Sequence, residues 1–355
     1  MRVGLLVLSV GLLCALGSAG ERGIVRVEFI ADPSPTPQCH ASTIVETPGG
    51  LVAAWFGGPY ERHPEVGIWV SRREAGRWNA PVEVANGRQP DGSRHPTWNP
   101  VLFQPRGGPL MLFYKVGPDP ASWWGMLMRS ADDGRTWARP QRLPDGMLGP
   151  IKNKPLQLPD GDILCASSTE APDWAIHFER SRDLGKTWGR IDPPTSTPEV
   201  EAIQPAILRH PDGRLQAIGR SRHDRVFTTE SADGGNSWSP IGLLDLPNPN
   251  SGLDAVTLAD GRFLLVYNHA RSTKGRWDAG RDVLNVAVSL DGRAWSAALV
   301  LENEAGREFS YPAVIQSADG LVHITYTWKR QRIRHVVVDP AKLVLRPIVA
   351  GEWPR

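Results

Sequence analysis

Ser130-Ala131-Asp132-Asp133-Gly134-Arg135-Thr136-Trp137 returns as Ser181-Arg182-Asp183-Leu184-Gly185-Lys186-Thr187-Trp188 and again as Ser231-Ala232-Asp233-Gly234-Gly235-Asn236-Ser237-Trp238. Three copies of Ser-x-Asp-x-Gly-x-Ser/Thr-Trp in one chain mark a repeat architecture. Ser289-Leu290-Asp291-Gly292-Arg293-Ala294-Trp295 is a copy shortened by one residue, and Ser71 to Trp78 is a degenerate one. The residue types are those of a folded hairpin turn. Asp and Ser/Thr oxygens take up turn amides, Gly permits positive φ, and Trp is expected to pack the turn against its own sheet. These aspartates are therefore read as structural, despite their regular spacing.

Between these motifs lies a second periodic signal. Pro48-Gly49-Gly50, Gly107-Gly108, Pro159-Asp160-Gly161, Pro211-Asp212-Gly213, Ala259-Asp260-Gly261 and Ala318-Asp319-Gly320 recur at intervals of roughly 48 to 59 residues. A strand-like run follows each turn, such as Leu51 to Phe56 or Phe263 to Tyr267, and another precedes it, such as Pro205 to Leu208. Each turn therefore joins two strands of a hairpin. About 50 residues per unit suits a four-stranded blade, and six units close a ring. The sequence thus predicts an all-β, six-bladed propeller occupying residues 21–355 as one domain. Ile24 to Ile30 has no partner in the first repeat and is expected to complete the last blade beside Ile333 to Val338, which removes an exposed sheet edge.

Composition agrees with this reading. The chain has 355 residues, with 14 Trp, 36 Gly and 32 Pro, a mixture that suits short strands and tight turns better than long helices. Lys+Arg 40 against Asp+Glu 38 leaves a net charge of +2, and apolar residues make up 41%. Extended disorder and a strong nucleic-acid footprint are excluded on those grounds. Arg2, the apolar run Val3 to Leu16 and the small residues Gly17 to Gly20 have the order of a secretory signal peptide over residues 1–20. An exported protein, periplasmic or secreted and without membrane insertion, is expected. Cys39 and Cys165 fall in non-adjacent repeats and are read as two buried free thiols.

The Ser-x-Asp-x-Gly-x-Ser/Thr-Trp turns match the Asp-boxes of the sialidase superfamily, and the chain resembles that family over nearly all of its length after the signal. The resemblance implies a six-bladed propeller whose innermost strands begin at a shared central pocket. The segments placed there are Gln38-Cys39-His40, Arg94 to Asn99, Lys152 to Lys154, Glu199 to Glu201 with Gln204, Asn248 to Asn250 with Asp254, and Glu308 to Tyr311. Sialidases grip a substrate carboxylate with three arginines, whose planar donor fork an ammonium cannot match. Arg220, eight residues after Asp212, and Arg281, eight before Ser289, stand at the family's offsets. Tyr311, eight before Asp319, matches the family's tyrosine nucleophile, a neutral phenol that the substrate carboxylate does not repel.

Departures from the family pattern are equally specific. His40 stands where the first arginine is expected, in Cys39-His40-Ala41-Ser42, so Lys152, Lys154 or Arg94 is required to compensate if the clamp is to be complete. The glutamate that assists the tyrosine falls on Gln204, which cannot accept a proton, leaving Glu201 and Glu308 as displaced candidates. For the proton donor, the loop after the first hairpin offers Glu65 at the family's distance and Glu61 nearby. Trp98 and Asn99 complete the substrate-binding candidates. No cofactor is expected, nor a metal, because the histidines show no ligand spacing. The resemblance implies an exo-acting glycosidase that removes a terminal acidic sugar, acting as a monomer. Two other readings stay open: a hydrolase or lyase on uronate-containing polysaccharide, and a propeller that binds glycans without cleaving them.

Overall fold

A computed structural model describes residues 22–193, 200–272 and 279–354. The expected signal peptide at residues 1–20 lies outside the described residues, as does Glu199. Six antiparallel sheets follow one another along the chain, and no α-helix occurs among the described residues. Blade one starts with Gln38–Thr47 and blade two with Thr97–Phe103. Blade three starts with Leu156–Gln157, blade four with Ala202–Arg209, blade five with Asp254–Thr257 and blade six with Phe309–Gln316. Each of these strands enters a hairpin at the predicted turn, as in Thr47↔Gly50 and Gln316↔Val322. Two blades depart from four plain strands. The outer strand of blade one is divided into Arg77–Trp78 and Val82–Ala85, and blade five gains a fifth strand, Arg346–Pro347.

The ring closes as the sequence predicts. Ile24–Phe29 pairs antiparallel with Arg332–Val338 at the outer edge of blade six, with Glu28 opposite His335. Glu28 then ties three parts of the chain together. It accepts from His335 Nδ1 at 3.0 Å, from Trp78 Nε1 of blade one at 3.2 Å and from Arg73 Nε of blade one at 3.3 Å. Between blades lies the core, a series of apolar layers. Val52, Phe56, Leu112 and Tyr114 fill the first junction, Phe178, Leu215 and Phe227 the third, and Val286, Phe309 and Ile324 the fifth. Cys39 and Cys165 are buried free thiols within such layers, as expected.

In the box turns the side-chain oxygens of Ser, Asp and Ser/Thr all have a use, while the indole nitrogens of Trp137, Trp188 and Trp238 are buried without a partner among the described residues. Asp183 Oδ1 accepts from Thr187 N at 2.8 Å and Lys186 N at 3.0 Å, Oδ2 accepts from Thr187 Oγ1 at 2.7 Å, and Ser181 Oγ accepts from Gly185 N at 2.7 Å. Asp132 and Asp233 repeat the pattern. Gly185 has φ +80°, which an L side chain adopts only with strain. The tryptophans differ from expectation. Trp238 stacks on Phe178 of the preceding blade, with centroids 3.8 Å apart, and Trp188 meets Phe113 of the preceding blade edge-on. The reason is a latch between blades: Arg129 Nη2 donates to Gly185 O at 2.9 Å and Arg180 Nη2 to Gly234 O, drawing each turn under its predecessor. The boxes therefore join neighbouring blades and do not merely finish their own.

Candidate active site

Four innermost strands carry the same irregularity at their entry. The pairing register shifts between His40 and Thr43, Trp98 and Val101, Ile203 and Ala206, and Ser310 and Ala313. At each bulge one non-glycine residue has positive φ: Ala41 (54°), Asn99 (38°), Gln204 (57°) and Tyr311 (51°). Pro100, Pro205 and Pro312 follow the last three, and a residue without N–H is tolerated inside a sheet where the ladder is interrupted. Such bulges re-aim side chains. Asn99, Gln204, Tyr311 and, beside Ala41, His40 all face one central cavity of about 570 Å³.

All six blades contribute to the cavity wall. Cations come from Arg62, Arg220, Arg281 and Arg330, carboxyl groups from Glu61 and Glu170, and aromatic surface from Trp98, Trp123, Trp174 and Tyr311. The Tyr311 ring is the centre of the positive charge. Arg220 Cζ lies 5.5 Å from its centroid, Arg281 Cζ 5.9 Å and Lys152 Nζ 5.8 Å. Arg220 is 6% exposed and donates to Asn250 O at 3.1 Å, while its Nε has no partner among the described residues. Its guanidinium also lies 5.2 Å from the Trp174 ring centroid. A buried guanidinium with unused donors, beside a second one, is built for an anion.

The third arginine is Arg330, and it comes from a place the spacing template does not cover. Lys329 and Arg330, both at positive φ, turn the chain between strands Val322–Trp328 and Arg332–Val338 of blade six. Arg330 Nε donates to Glu308 Oε2 at 2.7 Å and Nη1 donates to Glu61 Oε2. Glu308 Oε1 also accepts from Arg281 Nη1 at 3.3 Å and from Ser310 Oγ at 2.7 Å. Burial alone raises the Glu308 carboxyl, but Arg330, Arg281 and Ser310 outweigh it and hold it below the usual carboxylate range. Glu308 thus serves as the bracket of two arginines.

His40 lines the cavity as a neutral group among cations. Burial, then the charges of Arg330, Arg281, Arg220 and Lys152, push its pKa well below the ordinary value, so the ring is neutral. Its Nδ1 is 2.9 Å from Thr327 Oγ1, which also accepts from Ala41 N at 3.1 Å. Thr327 Oγ1 thus links the His40 ring to the backbone of its own bulge and fixes the ring's orientation. The ring packs against Tyr311 with centroids 4.2 Å apart.

Not every sequence candidate reaches the cavity. The side chain of Glu65 is exposed, and its carbonyl accepts from Arg94 Nη2 at 3.1 Å, so neither residue lines the site. Glu201 is spent on Arg222 at 2.5 Å. Lys154 holds both oxygens of Asp254 at 3.0 Å. Lys152 is buried beneath Tyr311 and donates to Asn153 Oδ1, Leu253 O and Pro312 O, and burial brings its pKa down to about 7. These two lysines fasten the inner strands and do not line the cavity. Glu61, His40, Trp98, Asn99, Gln204, Arg220, Arg281 and Tyr311 are brought together as expected. Sequence reasoning missed Arg330 and Glu170. The Lys329-Arg330 pair at a hairpin tip was the available signal for the first, while Glu170 is marked only by its place at the end of strand Ile163–Thr169. Among the described residues no group of three or more His, Cys, Asp or Glu is placed to hold a metal.

Comparison with known proteins gives the family and the fold. A family model described as BNR repeat-like domain covers residues 49–324. A curated sialidase of Bacteroides fragilis (strain YCH46) is 24% identical over 242 residues, 61% of this chain and 41% of the relative, so the chain spans about two fifths of that relative's length. Among solved structures, a Dyadobacter fermentans protein of unknown function superposes with a TM-score of 0.72 at 18% identity, covering 92% of this chain and 99% of the other. The NanB sialidase of Streptococcus pneumoniae gives a TM-score of 0.70 at 12% identity, covering 91% of this chain and 71% of its own. Identities this low establish a shared fold.

Proposed function

The chain belongs to the BNR repeat-like family, and on that premise we propose that it is an exo-acting glycoside hydrolase of sialidase type, removing a terminal acidic sugar from glycans. The observation that carries the reading is the convergence of Arg220, Arg281 and Arg330 around Tyr311 in one central cavity. A sugar carboxylate entering there takes the unused donors of Arg220, with Arg281 and Arg330 behind and the His40 ring beside it. That grip sets the anomeric carbon over Tyr311. The phenol oxygen forms a bond to this carbon as the glycosidic bond breaks and the leaving oxygen takes a proton. Water then releases the sugar, with net retention. Charge that develops on the phenol oxygen is opposed by the cations ranged around the ring.

Gln204 supports one refinement. Its Oε1 is buried and unpartnered among the described residues, so it can accept a hydrogen bond from substrate or phenol but cannot take the proton. The phenolic proton leaves through water in the cavity, and turnover is slower than with a carboxylate at that position. The same substitution favours the second reading, a propeller that binds acidic glycans without cleaving them. The deciding experiment measures product release by the purified protein from aryl sialosides, other keto-acid glycosides and uronide oligosaccharides, with Tyr311→Phe in parallel. Release of a reducing acidic sugar that disappears in the variant is expected. Binding with no product from any substrate overturns the hydrolase in favour of the binding propeller, and an ultraviolet-absorbing unsaturated uronate overturns it in favour of a lyase. Export is also proposed, and sequencing the N-terminus of the extracytoplasmic form tests it.

A further inference from the structure

Hydrolysis in this cavity requires a carboxyl group that is protonated at rest, lines the space and is not committed to a cation. Among the described residues two carboxyl side chains line it, Glu61 and Glu170. Glu61 is committed. Its Oε2 accepts from Arg330 Nη1, and Arg330 is otherwise held by Glu308. Glu170 makes no hydrogen bond and no ion pair among the described residues, and Arg222 beside it is taken up by Glu201. It stands where strand Ile163–Thr169 of blade three gives way to the loop that carries Trp174, the ring lying against Arg220, and Arg220 in turn lies 5.5 Å from the Tyr311 centroid.

We propose that Glu170, on blade three, is the group that protonates the leaving oxygen, and that Glu61 is a positioning residue that orients Arg330. The assignment rests on reading the cavity as a glycosidase site. The charged groups around Glu170 are Arg220 and Arg222 from blade four and Glu61 and Arg62 from the blade-one loop. Burial raises its pKa first, Arg220 and Arg222 work against that, and Glu61 adds to it, with a net rise. Substrate binding strengthens the effect. A sugar carboxylate that takes Arg220 cancels the main charge favouring ionised Glu170, so the proton is held most firmly when the glycoside is in place. As the C–O bond breaks and the Tyr311 oxygen bonds to carbon, the Glu170 proton passes to the leaving oxygen, and the phenolic proton passes to water. In the second half the Glu170 carboxylate takes a proton from the attacking water, the Tyr311 oxygen leaves carbon and is reprotonated from water, and both groups return to their starting state.

The test is the response to leaving-group acidity. Phenyl and 4-nitrophenyl α-ketosides of sialic acid are compared with wild type, Glu170→Gln and Glu61→Gln, each checked for an unchanged unfolding midpoint. Glu170→Gln is expected to lose about 10² to 10³-fold in kcat/KM on the phenyl ketoside and under about tenfold on the 4-nitrophenyl one, which needs little protonation. The alkaline limb of its kcat/KM profile disappears. Glu61→Gln is expected to raise KM alike on both substrates. Equal losses for Glu170→Gln on the two ketosides, or leaving-group selectivity in Glu61→Gln, overturn the assignment while leaving the hydrolase reading intact. No release by wild type from either ketoside or from the other acidic-sugar substrates overturns that reading and Glu170 with it. If Glu170→Gln fails to fold, Glu170→Ala with added azide takes its place: rescue on the 4-nitrophenyl ketoside, with a glycosyl azide as product because azide replaces the water that Glu170 activates in the second half, supports the role and its absence refutes it.

Discussion

The box turns and the central cavity are built from the same materials and put them to opposite ends. Each sets non-glycine residues at positive φ, Asp133 and Leu184 in the turns and Asn99, Gln204 and Tyr311 in the cavity. Each gathers carboxyl groups. In the turns, hydrogen bonds from Thr187 outweigh the effect of burial and bring Asp183 down to about 2. In the cavity Glu170 is in no hydrogen bond or ion pair among the described residues, and Gln204 Oε1 and Arg220 Nε are buried without a hydrogen-bond partner there. The lesson is that regular spacing of an acid says little about chemistry, whereas an unsatisfied polar group in a buried setting says much. The carboxylates and hydroxyls of the repeated turn are closed upon one another, and the unrepeated polar side chains of the cavity are left open to a ligand.

The sharpest break of that comparison is Tyr311→Phe, expected to lower kcat by about 10³-fold or more while the unfolding midpoint holds. An active variant would mean that the cavity's most cation-surrounded group is only packing. Next comes Arg220→Met, for which about 10² to 10³-fold in kcat/KM is expected, the cost of removing one partner of a buried ionic contact. Steady-state kinetics on an aryl sialoside reads it, and a loss confined within threefold would contradict the anion role. Gln204→Glu should move the other way, raising kcat about tenfold by giving the phenolic proton an acceptor. An unchanged or reduced rate would show that the assisting group lies elsewhere.

On the structural side, Trp238→Ala removes a ring stacked on Phe178 and is expected to cost about 3 kcal/mol in denaturant unfolding, with kcat per folded molecule unchanged. Altered kcat would couple the turns to the site. The smallest effect concerns ring closure. Burial, only partly offset by Glu28, brings His335 down to about 4 from the ordinary 6.5. The unfolded chain therefore takes up this proton first as the pH falls. The stability this histidine confers is complete above pH 6.5 and is lost between 6.5 and about 4, by at most about 3 kcal/mol. The Glu28 carboxylate is held below its usual range by His335, Arg73 and Arg26 against burial, so its contribution is lost at still lower pH, in the same direction. Unfolding free energies measured across that window should fall with acid in wild type and flatten in His335→Gln. An equal slope in both would remove the closure from the account.

Much of the molecule is legible before folding, and the reason is locality. A turn that satisfies its own amides within eight residues advertises itself in any sequence, so the boxes, the hairpins and the ring they imply follow from spacing. The partner of Ile24–Phe29 follows too, because an apolar strand at a chain end needs an edge to cover. Arg220, Arg281 and Tyr311 are fixed by short offsets from those same turns, and each reaches the cavity. Distance defeats the rest. Glu65 satisfies the offset as well as Glu61 does, yet the loop turns it outward and sends Glu61 to Arg330, 269 residues further along the chain. Trp188 and Trp238 look like ornaments of their own turns and are found on the blade before.

By itself, then, the sequence determined the number of blades, the turns that knit them and the residue types gathered at the centre, since all of these are set by contacts within one repeat. Only the tertiary structure decided which charges meet. It paired Glu61 and Glu308 with Arg330, left Glu170 and Arg220 outside any ion pair among the described residues, and set neutral His40 against Tyr311. Those outcomes depend on distances across the ring between segments that share no local pattern, and electrostatic roles are properties of such distances rather than of residue type.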